Sequence, residues 1–268
     1  MLGQDFVSHL PKAAGFDRTD FDITEIDSVR AVLDDFDIVV NCAAWTAVDD
    51  AEENERYALA VNGLGPKNVA IVCSEIGARM VQISTDYVFP GDAIQPYQVD
   101  DPTGPNSAYG RTKLAGEIAV TDALPGAHYI VRTSWMYGQH GLNFVKTMQN
   151  LEKTNDTISV VDDQIGQPTW TMDLVKQVLE MVELDAPPGT YHGSSSGETS
   201  WYGFAQKIFE ELGANPQRIT PTTSVEFAPA APRPAYSVLS HDKWASVGMN
   251  PIRNWDAAIA DAFDKGTF

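Results

Sequence analysis

A chain of 268 residues with 43% hydrophobic and 10% aromatic residues is long enough to bury a large core in one or two domains. Its formal charge of -19, from 18 Lys and Arg against 37 Asp and Glu, argues against a nucleic-acid or anionic-membrane surface, both of which need a basic face. No apolar run is long enough to span a bilayer, no signal-peptide pattern opens the chain, and Cys42 and Cys73 lack metal spacing and read as reduced core residues, so a cytoplasmic location is expected.

In chain order, Asp17 to Thr24 is a polar turn segment, and Ile26 to Leu33 has helical periodicity. Phe36 to Cys42 is an apolar run of strand character, followed by Asp49, Asp50, Glu52 and Glu53. Those carboxylates read as the first turn of a helix offsetting its dipole, with a metal site as the rival reading. Helices are expected over Glu55 to Ile76, Ala108 to Thr121 and Leu142 to Glu152, and strands over Arg79 to Ser84, His128 to Thr133 and Thr157 to Val161. This alternation predicts an α/β fold, a doubly wound parallel sheet with helices on both faces. Beyond it lie two Pro/Ala-rich loops, Asp185 to Gly189 and Phe227 to Pro234, and between them a helix, Trp201 to Leu212, that Ser200 can cap. The reading divides the chain into a dinucleotide-binding domain over 1–135 and a mainly substrate-binding subdomain over 136–268, with segments free to return to the sheet.

Chemistry concentrates where the strand Arg79 to Ser84 runs into Ser84-Thr85-Asp86, because open parallel sheets bind ligands beyond the carboxyl ends of their strands. Two dozen residues on, Tyr109 and Lys113 stand four apart, on one face of the expected helix. Two unit charges about 4 Å apart interact by roughly 4 kcal/mol at an effective dielectric of about 20. An ammonium so placed would bring a phenol from about 10 toward neutrality, where it can pass a proton to or from an alcohol oxygen. Taken singly, the pair also reads as an exposed helix contact and Ser84-Thr85-Asp86 as a turn and helix cap.

Together these residues resemble the extended short-chain dehydrogenase/reductases and, more narrowly, the dTDP-4-dehydrorhamnose reductase family. The resemblance rests on Thr85-Asp86-Tyr87-Val88-Phe89 and on Tyr109 to Glu117. It continues in Asp37 to Asp49, Val131 to Gly138, Asp163 to Thr169 and Arg233-Pro234, in the family's order across nearly the whole chain. It implies NAD(P)H-dependent reduction of a nucleotide-linked 4-keto-6-deoxyhexose, dTDP-4-dehydro-L-rhamnose above all. Tyr109 would be the proton donor, Lys113 the residue that lowers its pKa and holds the nicotinamide ribose, and Thr85 the group that polarises the carbonyl. The cofactor, NADPH or NADH, would meet Met1, Leu2, Asp22, Ile23, Ala43, Ala44 and Trp45 besides Tyr109 and Lys113. Asp17 suits a ribose hydroxyl and Arg18 a 2′-phosphate, which leaves both dinucleotides open. The substrate would meet Thr46, Val48, Thr85, Asp86, Trp135 with an indole face on the sugar, and Arg233 on a phosphate. Arg132 is a further candidate donor for anionic ligands in an acidic chain.

By the same resemblance the chain begins late. Met1-Leu2-Gly3 looks like the end of a Gly-x-x-Gly-x-x-Gly loop, and the first strand, roughly ten residues, is expected to be missing upstream. The resemblance also allows a homodimer, an upstream epimerase domain in the natural chain, and a divalent cation such as Mg2+ at a dimer contact through an acidic residue near Asp5, although no metal site is read from the sequence itself. Two rival functions stay open: a sugar-nucleotide epimerase or dehydratase of the same superfamily, and a non-catalytic protein like the regulatory subunit of methionine adenosyltransferase.

Overall fold

The computed structural model describes all 268 residues. In chain order the first half contains α1 (Leu2–His9), α2 (Ile26–Arg30), β1 (Ile38–Asn41), α3 (Val48–Glu53), α4 (Glu55–Leu59), α5 (Gly65–Ile76), β2 (Arg79–Thr85), α6 (Ala108–Ala123) and β3 (His128–Thr133). The second half contains β4 (Met136–Tyr137), α7 (Phe144–Thr154), β5 (Ile158–Val161), β6 (Ile165–Gly166), β7 (Thr169–Trp170), α8 (Thr171–Glu183), β8 (Gly189–His192), β9 (Ser195–Ser196) and β10 (Thr199–Ser200). After these come α9 (Trp201–Glu211), β11 (Ile219–Thr222), α10 (Ser224–Phe227), α11 (Asp242–Ser246), β12 (Ile252–Asn254) and α12 (Trp255–Asp264).

The central sheet has the order β1-β2-β3-β8, all parallel. Strands buried on both faces read as near-continuous apolar runs, as β2 and β3 do. Their alternate residues serve opposite layers. Met80 and Ile130 face α2, α5 and α6 through Val29, Val69, Cys73, Val120 and Leu124. Val81, Ile83, Tyr129 and Val131 face α1 and α8 through Leu2, Phe6, Leu174, Val178 and Met181. The chain thus returns to the sheet after residue 135, since β8 pairs with β3 and α8 covers its face. A second core, built by α7, α9 and α12 around β5 and β11, includes Val145, Phe204, Ile208, Phe209 and Ile259.

Two expected elements differ. The strand at Phe36 to Cys42 narrows to β1, and the helix from Ile26 ends at Arg30. The helix expected over Glu55 to Ile76 is continuous but changes pitch: a π-helical turn, Ala60–Leu64, joins α4 to α5. Such turns are rare and are frequent at functional sites. Here the turn carries Asn62, whose buried amide accepts from Trp45 N at 2.8 Å and donates to Trp45 O at 3.1 Å and to Thr112 Oγ1 at 3.1 Å.

Candidate active site

β2 ends at Thr85, and the chain turns at once through a 3₁₀ turn, Asp86–Val88. Thr85 Oγ1 accepts from Tyr87 N at 3.2 Å and donates to Asp86 Oδ1 at 2.9 Å. α6 begins against this turn. Its first N–H groups are held by Ser107 Oγ, which accepts from Gly110 N at 3.1 Å, and by Glu52 Oε1, which accepts from Ala108 N at 2.8 Å. Gly110 permits the approach, because a Cβ there would come 2.3 Å from the Tyr87 carbonyl oxygen. Tyr109 is thereby set edge-on to Tyr87, with ring centroids 5.6 Å apart, beside Thr85 and Asp86.

One turn further along α6, Lys113 is buried and donates from Nζ to the Ile83 carbonyl at 2.6 Å. Burial lowers its pKa to about 8, while Glu117 and Cys42 act in the opposite direction. The electrostatic expectation for Tyr109 is overturned. Its phenol is pushed up to about 12, first by burial and also by Asp86, while the Thr85 hydroxyl opposes the rise. The ammonium is engaged by the Ile83 carbonyl of β2, and burial, Thr85 and Asp86 are what set the phenol. The result is a firmly protonated tyrosine. Asp86 is 2% exposed, and burial raises its carboxyl to about 6.

On the cofactor side, α1 and the end of β1 meet: Gly3 lies against Cys42, and both Lys113 and the chain's amino group act on the Cys42 thiol. Met1 sits at the N-cap of α1, where its carbonyl accepts from Gln4 N, and the N–H groups of Leu2 and Gly3 are free of intrahelical partners. The Leu2 side chain belongs to the core. Ala43 N donates to Asn41 Oδ1 at 3.1 Å, and Asn62 clamps the following Trp45, so the Ala43-Ala44-Trp45 loop is fixed above α6. Ile23 packs on Gly65 at the start of α5, and its carbonyl accepts from Asn68 Nδ2 at 2.9 Å. Asp22 is exposed and held in its own turn, where it accepts from both the amide and the hydroxyl of Thr24. Small residues, free N–H groups and a buried lysine at one corner fit a dinucleotide.

The substrate-side residues are less uniform. Thr46 is exposed and Val48 half-buried at the start of α3. Trp135 follows β3 with φ of 44°, and its indole stacks on Trp201 at 3.7 Å and 11°. One indole face that the resemblance offers to the sugar is therefore taken by Trp201. Arg233 is also not a free phosphate clamp. Asp49 binds it at 2.9 and 2.7 Å, and Asp49 in turn falls to about 2 under the guanidinium's influence. Arg132 is excluded from ligand duty, being buried against Glu117 with Nη2–Oε2 at 2.8 Å and donating to the Val99 carbonyl. A sequence reading finds a charge but not what it faces; both arginines are pinned by carboxylates distant in the chain.

No group of three or more His, Cys, Asp or Glu is placed to hold a metal ion. Asp5 is buried in α1, with His140 Nε2 3.7 Å from its Oδ1, and the divalent ion allowed by the resemblance has no ligand set there. The acidic run after β1 disperses, with Asp49 on Arg233, Glu52 on the amide of Ala108 and Asp50 on Asn54. Asn62, which holds the Trp45 loop on α6, is the residue of this corner that the sequence reading missed. Its signal was a polar residue beside two glycines inside an otherwise regular helix.

The sequence profile of the RmlD substrate binding domain matches residues 1–268. The chain is 48% identical to a dTDP-4-keto-6-deoxy-D-glucose reductase of Streptomyces niveus, over 98% of this chain and 93% of that one. It is 46% identical to a dTDP-4-dehydrorhamnose reductase of Streptomyces griseus, over 98% and 90%. Among solved structures, the dTDP-4-dehydrorhamnose reductase of Bacillus anthracis in complex with NADP superposes with a TM-score of 0.95 at 38% identity, covering 98% of this chain and 95% of that one.

Proposed function

The chain belongs to the RmlD family, that of the dTDP-4-dehydrorhamnose reductases it matches, and we propose that it reduces the 4-keto group of dTDP-4-dehydro-L-rhamnose to give dTDP-L-rhamnose, with NADPH as the reductant. The observation that carries this reading is the meeting of Thr85 and Tyr109 at the carboxyl end of β2, with Lys113 buried one turn below. When bound, the nicotinamide supplies a hydride to the carbonyl carbon. Tyr109 gives its proton to the carbonyl oxygen, a role that suits a phenol kept protonated by burial. Thr85 polarises that oxygen by hydrogen bonding. Lys113, the Ala43-Ala44-Trp45 loop, the Asp22-Ile23 turn and the backbone of Met1 and Leu2 hold the dinucleotide. Thr46, Val48, Asp86 and Trp135 line the sugar side, and Arg233 acts there only through Asp49. Residues 1–135, with α8 and β8 added, form the dinucleotide half, and the remainder of 136–268 closes over the sugar nucleotide.

NADPH is favoured over NADH by Arg18, which is exposed, whereas the neighbouring Asp17 is held in its own turn by Thr19. The relative solved with NADP agrees with that choice. A cytoplasmic setting fits, where NADPH and the sugar nucleotide are found together; no helix is long and apolar enough to cross a membrane. One specific observation favours a second substrate, the 48% identity to a reductase of dTDP-4-keto-6-deoxy-D-glucose. The dehydratase DesIV, at 18% identity, shares the fold alone.

The test is NADPH oxidation with each keto sugar, with the product identified by NMR. Stoichiometric oxidation with formation of the 4-hydroxy sugar supports reduction. A retained cofactor with a rearranged or dehydrated sugar points to the epimerase or dehydratase reading. No turnover with either sugar would leave a binding role of the methionine adenosyltransferase-regulator kind.

A further inference from the structure

Thr85 has one proton, and in this structure it is committed. Its Oγ1 donates to Asp86 Oδ1 at 2.9 Å and accepts from the Tyr87 amide at 3.2 Å. A hydroxyl has one donor and two acceptor positions, so Thr85 cannot polarise a substrate carbonyl while that bond to Asp86 persists. The other carboxyl oxygen of Asp86, Oδ2, is buried without a hydrogen-bond partner. An ionised carboxylate left in that state is costly, whereas a protonated one can place its O–H on the free acceptor position of Thr85.

Building on the reductase reading above, we infer that Asp86 is a positioning residue that sets the direction of the Thr85 proton and must itself be protonated in the reactive complex. With Asp86 ionised, the Thr85 proton lies on Asp86 Oδ1, away from the substrate. With Asp86 protonated, its O–H donates to Thr85 Oγ1, and the Thr85 proton turns to the carbonyl oxygen alongside that of Tyr109. The reversal takes up one proton from solvent onto Asp86, which Asp86 keeps through the reduction. The single proton consumed by reduction still comes from Tyr109, and Asp86 and Thr85 only reorient theirs.

The surroundings are suited to this. Thr85 is the side chain that hydrogen-bonds Asp86, the Ser237 hydroxyl nearby favours its ionised form, Tyr109 faces it from α6, and Tyr87 faces it from its own turn. The charged groups nearby are already matched elsewhere, Lys113 with the Ile83 carbonyl and Arg233 with Asp49. Burial therefore dominates and raises the carboxyl to about 6. Anionic ligands would add burial and negative charge, and both move it further upward.

The experiment is the pH dependence of kcat for the wild type, Asp86→Asn and Thr85→Val, with NADPH and the keto sugar saturating between pH 5 and 8. The wild type should lose turnover as pH rises through a midpoint at or above 6, approaching tenfold per pH unit on the limb. Asp86→Asn has an amide that can donate to Thr85 at every pH, so whatever the level of its turnover the limb should vanish and its profile should be flat from pH 5 to 8. Thr85→Val should be slower throughout and also lack the limb, because Asp86 acts through the hydroxyl. A wild-type profile flat from pH 5 to 8 overturns the inference without any variant. So does a limb with the wild-type midpoint in either variant. Absence of wild-type turnover with either keto sugar instead refutes the reductase reading.

Discussion

Burial raises the Tyr109 phenol and keeps it protonated, and in the proposed reaction its proton is the one consumed. Tyr109→Phe should therefore lower kcat by about a hundredfold to ten-thousandfold, the usual cost of losing a general acid, while NADPH affinity measured by fluorescence titration changes little. Lys113 makes a subtler case. Its folded pKa, about 8, lies below the 10.5 of a free lysine, so the unfolded chain binds the proton more tightly. Below about pH 8 the buried ammonium thus costs stability, on the order of 3 kcal/mol before the bond to Ile83 is credited, and the cost is relieved as pH rises from 8 toward 10.5. Lys113→Met should weaken NADPH binding yet leave Tm at pH 7 unchanged or higher. A variant with both normal affinity and a markedly lower Tm would make Lys113 a purely structural residue. The sequence made Tyr109, Lys113 and Thr85 legible through spacing and strand-end position. It could not show where the ammonium points, because four residues on a helix define a face and not a rotamer. For the same reason it read Arg132 and Arg233 as anion donors, although Glu117 and Asp49 already hold them.

The element that assembles the site is α6, and its position is fixed by two close approaches and one buried ion pair. Gly110 touches the turn after β2, and Gly116 touches the π-helical turn, where a Cβ would come 2.1 Å from the Asn62 carbonyl oxygen. Backbone cannot yield as a side-chain tip can. Gly116→Ala should push α6 away from Asn62, lowering stability and loosening the Trp45 loop that Asn62 holds, which would appear as a higher KM for NADPH. Deeper in, Glu117 accepts from Arg132 Nε at 3.0 Å and Nη2 at 2.8 Å and from Ser84 Oγ at 2.5 Å, while the guanidinium lies 4.9 Å from the Phe89 ring centre. Glu117→Ala would strand a buried guanidinium, so chemical denaturation should show a loss of about 3 to 5 kcal/mol. A loss under 1 kcal/mol would mean that water reaches Arg132. Strands in this layer were readable from apolar runs, because β2 and β3 are buried along their length, whereas α6 buries a mostly small and polar face, Gly110, Thr112, Lys113, Gly116 and Glu117. The π-helical turn was not readable, since it depends on Asn62 reaching Trp45 and Thr112, tertiary contacts that no local window contains.

At the scale of the whole molecule the governing quantity is charge. Asp and Glu outnumber Lys and Arg by 37 to 18, so even complete pairing would leave an excess of carboxylates equal to the net -19. The ion pairs that do form are mostly on the surface, such as Arg30–Glu75 and Arg111–Glu55, and exposed pairs contribute little each. Their loss on adding salt is a small effect, and the self-repulsion of the remaining carboxylates is a large one. The Debye length shortens from about 10 Å at 0.1 M to about 3 Å at 1 M, which removes repulsion between neighbours without touching the buried Arg132–Glu117 pair. Tm should therefore rise when NaCl is increased from 0.05 to 1 M, and the rise should be larger at pH 8 than at pH 5, where some carboxylates are already neutral. The same field opposes an anionic dinucleotide during approach, so the association rate for NADPH, measured by stopped flow, should increase with salt over the first few hundred millimolar. A rate that falls with salt would show that local donors around Lys113 and the start of α1 outweigh the global charge even at long range.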